Sequence, residues 1–188
     1  MKMRLRPADV LLFTPTGWGI LLPLVKWLLS YGHVALYFTE TKRGLLLIIE
    51  SIGRGVLIRS LLSYAGRRVR VMRPKVDDDT ALRIAKEAEH LADNPGSWYG
   101  YFDIPRYVLP RLIWHKLTGR RYGFAYRRNS FFICSELVAS AYRRAGVALV
   151  DEKAIPLPDD ISRSRILENL GEIVVPSREG PTGAERER

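Results

Sequence analysis

Short apolar runs alternate with polar breaks through the first part of the chain. Asp9 to Phe13 predicts a short buried strand. After a break at Thr14-Pro15-Thr16, the stretch Gly17 to Ser30 carries Trp18, Leu21, Leu22, Val25 and Leu28 at helical spacing and predicts a buried helix. Val34 to Thr39 and Leu45 to Ser51 are β-rich runs on either side of Glu40-Thr41-Lys42-Arg43, the pattern of a hairpin. Val56 to Arg59 and Val69 to Arg73 predict two further strands, the second stopped by Pro74.

The period then changes. Asp77-Asp78-Asp79 places acids where a helix N-terminus favours them, and Thr80 to Leu91 continue that helix. Residues 98 to 128 are aromatic and basic, expected to be helical in part, with breaks at Pro105 and Pro110. Ser130 to Ala145 predicts the best helix of the chain, with Asn129 and Ser130 as cap candidates, Arg143 and Arg144 in its last turn and Gly146 as its stop. A short helix is expected over Asp159 to Leu170. Strands gathered early and helices late make an α+β domain. The expected organisation is one domain over residues 1–175 and a disordered tail at 176–188, where Gly, Pro and charge dominate.

Basic Met1 to Arg6 followed by apolar Val10 to Leu29 also has the outline of a signal peptide or membrane span. Thr14-Pro15-Thr16-Gly17, Pro23 and Lys26 interrupt it, and no small-residue cleavage site precedes Tyr31-Gly32-His33. The reading is therefore strand, turn and buried helix. It expects a cytoplasmic protein, able to sit peripherally on a membrane.

The 188 residues carry 30 Lys and Arg against 20 Asp and Glu, a net charge of +10. That favours an anionic partner without saying which, and many basic proteins are simply basic. The single cysteine excludes an intramolecular disulfide framework. His90 and His115 have no zinc-ligand spacing with it. No glycine-rich phosphate loop is present, and Asp77 to Asp79 lack the Gly and downstream Glu of a calcium loop. No cofactor and no metal are implied.

Cysteine catalysis needs a thiolate, a base for its proton and a group to orient the base. Cys134 falls in the first turns of the best predicted helix, where the helix dipole favours negative charge. It also shares a face with Leu137, Val138, Ala141 and Ala145, so packing alone accounts for it too. His33 opens the strand His33 to Phe38. If the hairpin pairs Thr39 with Gly44, then Tyr37 faces Leu46, Ala35 faces Ile48 and His33 faces Glu50. Glu50 would then hold one imidazole nitrogen while the other points at Cys134. A one-residue slip would put Glu50 on the wrong face, and a solvent-exposed strand end is its alternative role.

Several pieces resemble a family when taken in order: Ala8-Asp9-Val10-Leu11-Leu12-Phe13, Tyr31-Gly32-His33-Val34-Ala35-Leu36-Tyr37, Ile49-Glu50-Ser51 and Gly55-Val56 leading to Leu61 and Tyr64. Val71-Met72-Arg73-Pro74, Ile133-Cys134-Ser135-Glu136-Leu137-Val138 and Leu157-Pro158-Asp159-Asp160-Ile161 follow. Together they resemble the circularly permuted papain-fold cysteine hydrolases related to NlpC-type peptidases, in their YiiX-type branch, over roughly residues 7 to 170. The resemblance implies a permuted papain-like domain with its nucleophile at a helix N-terminus. It further implies a triad of Cys134, His33 and Glu50, and thiol-dependent cleavage or transfer at an amide or ester carbonyl. Two departures stand out. The family commonly has Gly before Asp9 where this chain has Ala8, and the segment before His33 is unusually rich in Leu and Trp.

Three functions stay open on the sequence: a hydrolase of peptide-like amides, a lipid-directed acyl hydrolase or acyltransferase, and a non-enzymatic basic binding module. The substrate is accordingly peptide-like or an acyl lipid. Residues 104 to 128 hold Arg106, Arg111, Lys116, Arg120, Arg121, Arg127 and Arg128 and no acid, interleaved with aromatics and an apolar stripe. That suits the headgroup layer of an anionic membrane, to which the apolar helix around Leu21 to Leu29 could add a contact. It suits slightly better a cationic rim of the active-site cleft with Trp114 and Leu117 in the core. Single-stranded nucleic acid is ranked lower, because no nucleic-acid motif accompanies the pattern. Oligomeric state is left open.

Overall fold

The computed structural model describes residues 3–16, 23, 26, 27, 29–52, 55–93, 113, 114, 117, 118, 133–150 and 156–176. These build an α+β domain on one six-stranded sheet. Its strands are β1 (Val10–Phe13), β2 (His33–Glu40), β3 (Leu46–Ile52), β4 (Gly55–Ser60), β5 (Arg68–Pro74) and β6 (Leu167–Val174). Their order across the sheet is β4-β3-β2-β1-β5-β6, and every neighbouring pair is antiparallel.

Alternation along the strands divides the sheet into two apolar faces. Val10, Leu12, Val34, Leu36 and Ile49 pack with the helices α1 (Asp78–Ala92) and α2 (Cys134–Arg144). Leu11, Phe13, Ala35, Tyr37, Ile48 and Val71 form the opposite face, with Leu61 of the short 3-10 turn Leu61–Tyr64. All four residues of β1 are buried, as befits a strand in the middle of a sheet covered on both sides.

Local chemistry explains the helix ends. Asp77 caps α1, its carboxylate accepting from the Thr80 N–H at 2.7 Å, and Asp78 and Asp79 fill the first turn. α2 stops at Gly146, which has φ of 83°. It begins at Cys134 with Ile133 as its cap residue, later than Ser130, so Asn129 and Ser130 do not cap it. Those two residues lie outside the described ones. The Glu136 carboxylate instead accepts from the Ile133 N–H at 3.1 Å.

Three further expectations need correction. The helix predicted over Asp159 to Leu170 is only α3 (Pro158–Ser162), and Leu167 onwards is the edge strand β6. Glu168, Asn169, Gly171 and Glu172 hide the strand from a periodicity argument, because an edge strand needs only partial burial. In the predicted helix Gly17 to Ser30, Pro23, Lys26 and Trp27 are helical, but the helix does not include Leu29 and Ser30; the other positions lie outside the described residues. Trp114 and Leu117 are not core: they are 45% and 73% exposed. At the C-terminal end, Val175 exchanges backbone hydrogen bonds with Gly66 and Arg67, so the chain is tied to the sheet up to that residue. The expected tail lies outside the described residues from 177 onward.

Candidate active site

His33 is the first residue of β2, at an end of the sheet, and the chain entering it is tightly held. The Gly32 N–H donates to the Phe13 carbonyl at 2.9 Å. The Asp159 carboxylate accepts from the backbone N–H of Ser30 at 3.0 Å and of Tyr31 at 2.9 Å. Gly32 is required by close approach: a Cβ there would lie 2.8 Å from the Pro15 Cα. Phe13 sits directly opposite His33 in the ladder, with ring centroids 5.6 Å apart.

Glu50 reaches the His33 face by a route the simple hairpin count misses. The turn is longer than expected, so Glu40 pairs with Leu46 and Thr39 with Leu47. Continued unbroken, that register would set Glu50 opposite Leu36, on the helix-covered face. A bulge between Tyr37 and Thr39 restores the parity, pairing Tyr37 with Ile48 and Leu36 with Ile49. Glu50 therefore falls opposite Ala35, diagonal to His33 and on its face, rather than directly opposite. Long side chains reach across such a diagonal.

The contact is made: His33 Nε2 and Glu50 Oε2 are 2.7 Å apart. Glu50 is fully buried, and two residues to which the sequence reading gave no site role complete its shell. The Tyr64 hydroxyl donates to Oε2 at 2.5 Å, and Arg59 Nη1 donates to Oε1 at 3.1 Å. Arg59 was within reach of sequence reasoning. Ile52 pairs with Gly55, which sets Glu50 opposite Leu57 and puts Arg59 on the same face two residues on. Tyr64 had no such signal, since it arrives from a 3-10 turn whose direction no periodicity specifies. Its ring lies 6.1 Å from that of His33 and 4.3 Å from that of Phe13.

Cys134 is buried at the first position of α2, where backbone N–H groups lack intrahelical acceptors. The Ser135 hydroxyl donates to the Pro156 carbonyl at 2.6 Å, fixing the chain beside it. Tyr142, on the same helix, donates to the Ala8 carbonyl at 2.7 Å, while the Ala8 N–H donates to the Tyr37 carbonyl at 3.0 Å. Ala8 thus links the cysteine's helix to the histidine's strand. It does so with φ of 68°, the left-handed region where glycine is at ease.

The Cys134 thiol and the His33 imidazole lie close enough for each to stabilise the other's charged form. Since Nε2 is taken by Glu50, Nδ1 is the nitrogen left for the sulfur. Burial opposes charge on His33, but the sulfur and Glu50 outweigh it and raise the imidazole to about 9. Burial likewise pushes the Cys134 thiol up. The His33 charge and backbone hydrogen bonds from Val34 and Ser135 outweigh that and leave it below its ordinary value. For Glu50, burial is again opposed, here by hydrogen bonds from His33 and Tyr64 and the Arg59 charge, and the net direction is down. All three residues expected from the sequence are thus brought together. His90 lies on α1 and takes no part, and His115 is outside the described residues.

The fold is similar to that of the metalloprotein YiiX from Escherichia coli O157:H7, a DUF1105 protein. The TM-score is 0.57 at 11% identity, covering 89% of this chain and 97% of that one. No family model matches the chain, and no curated protein matches it. The donors here do not fit a metal ion. Among the described residues no group of three or more His, Cys, Asp and Glu could hold a metal ion.

Proposed function

We propose that the protein is a thiol-dependent hydrolase of the permuted papain-like, NlpC-related type, acting on a peptide-like amide. The observation that carries the reading is the His33–Glu50 hydrogen bond at 2.7 Å beside a Cys134 sulfur that the His33 charge stabilises at the N-terminus of α2. The lowered thiol and the imidazole raised to about 9 both favour the thiolate–imidazolium form of the pair. The thiolate attacks the carbonyl carbon, and the oxyanion forms near the Cys134 N–H. His33 gives its proton to the departing amine as the C–N bond breaks, leaving a thioester on Cys134. Water then attacks the thioester while His33 takes its proton, and the carboxylic acid leaves with the thiolate restored. Glu50 holds the ring and stabilises its charged form, and Arg59 and Tyr64 keep Glu50 ionised and in place.

A lipid-directed acyl hydrolase or acyltransferase is the second reading. It uses the same residues and is favoured by the exposed Trp114 and Leu117. Iodoacetamide labelling of Cys134 against pH tests the chemistry common to both. The expected midpoint lies below that of free cysteine, about 8.5, and His33→Ala raises it. A midpoint near the free value, unmoved by His33→Ala, would leave a basic binding module. A screen with amide and ester acyl probes, mapping adducts on Cys134 by mass, then separates amide from ester substrates.

A further inference from the structure

We propose that the segment around Ile113, Trp114 and Leu117 docks the protein peripherally on an anionic phospholipid surface. Ile113, Trp114, Thr118 and Leu117 are helical, and the Thr118 hydroxyl donates to the Trp114 carbonyl one turn back at 2.8 Å. At about 100° per residue, positions 113, 114 and 117 fall within roughly one quarter to one third of the helix circumference. That arc is exposed: Ile113 by 40%, Trp114 by 45% and Leu117 by 73%. Three large apolar side chains turned together to water mark a contact surface rather than ordinary scatter.

Charge complementarity selects the occupant. Residues 104 to 128 contain seven Arg and Lys and no acid, whereas the whole chain has 20 acids against 30 bases. Arg111, Arg120 and Arg121 bracket the apolar positions in sequence, and Lys116 falls between them. A tryptophan beside aliphatics, flanked by cations, matches the layered chemistry of an anionic interface, with acyl boundary inside and phosphates around it. Among the described residues no helix is long and apolar enough to cross a membrane, so the contact proposed is one in the interface plane. A protein groove would offer apolar complementarity without needing so one-signed a flank. Single-stranded nucleic acid would use the cations and Trp114, but it offers Leu117 nothing comparable.

The inference stands apart from the cysteine chemistry, so Cys134→Ser should bind vesicles like the unaltered chain. The test is co-sedimentation of the full chain with phosphatidylcholine vesicles, with and without phosphatidylglycerol. Binding is expected only with phosphatidylglycerol, and raising salt well beyond physiological strength should weaken it about tenfold or more. Leu117→Glu should weaken it by about tenfold or more, while unfolding temperature and Cys134 labelling stay unchanged. Trp114→Phe should abolish most of any vesicle-induced blue shift in tryptophan fluorescence. No binding to either vesicle overturns the proposal, as does anionic binding that Leu117→Glu leaves intact. Binding of a single-stranded oligonucleotide that Leu117→Glu weakens, without vesicle binding, would overturn it in favour of nucleic acid.

Discussion

Replacing Glu50 by Gln keeps the volume of a fully buried side chain and removes its charge. Every partner of Glu50 is a donor: His33 at 2.7 Å, Tyr64 at 2.5 Å and Arg59 at 3.1 Å. A carboxylate satisfies all of them, whereas an amide offers one acceptor oxygen and turns an N–H2 on the rest. With the amide oxygen kept on His33 and Tyr64, the N–H2 faces Arg59. That guanidinium is partly exposed and can turn to water, so the fold survives. The charge-assisted bond to the imidazolium does not. Such a bond is worth roughly 1.5–3 kcal/mol, which corresponds to an acylation rate lower by about 10- to 150-fold. The imidazole should fall below its raised value of about 9, and the thiol should rise with it. Thermal unfolding should drop by roughly 4–8 °C for a loss of about 2 kcal/mol. Single-turnover acylation by an activated acyl ester gives the rate, and iodoacetamide labelling against pH gives the thiol midpoint. A rate within about twofold of the unaltered protein and an unmoved midpoint, in a folded variant, would refute the argument.

Two other outcomes follow from the same geometry. Gly32→Ala should destabilise by about 1–3 kcal/mol and slow Cys134 labelling, because its Cβ would press on backbone at Pro15; a variant at least as stable in thermal melts would contradict the close approach. In pH dependence, amide cleavage should rise on the acid side as Cys134 ionises and fall above about 9 as His33 loses the proton it gives the amine. An activated ester, whose leaving group needs no proton, should lack the basic limb, and profiles of kcat/KM for both substrates decide it. The stability linkage has matching signs. The contribution of His33 is full below about 6.5 and lost as pH rises through about 9, while that of Glu50 is lost as pH falls through its lowered value.

The strands β1 to β5 and the helix α1 were legible because each rests on periodicity or end chemistry at short range, whereas the meeting of distant Cys134 with His33 and Glu50 was expected only through the family resemblance. Register was not. A count from the loop put Glu50 directly opposite His33, and the outcome survived only because a longer turn and a bulge together moved the pairing by an even number of residues. Neither the turn length nor the extra residue at Phe38 has a signature in composition. The first half of β6, Leu167 to Leu170, was read as helix because its polar positions face water at a sheet edge. Tyr64 was quoted in the resemblance but given no role, because its side chain is aimed by a 3-10 turn that no alternation rule covers, whereas strand alternation could have placed Arg59. Ala8, noted in sequence as an unusual neighbour of Asp9, proves to occupy a backbone conformation that suits glycine better.

The link through Ala8 bears on how the protein folds. Glu50, Arg59, Tyr64 and His33 all lie on early strands or the turn beside them, and they can assemble as one hairpin-connected unit. Cys134 arrives from a helix far along the chain, and its contact with His33 closes a long loop. The thiol can acquire its lowered pKa only once α2 has docked. Its alkylation rate during refolding is therefore a clock for that long-range step, distinguishable from the earlier pairing of strands that hydrogen exchange would time.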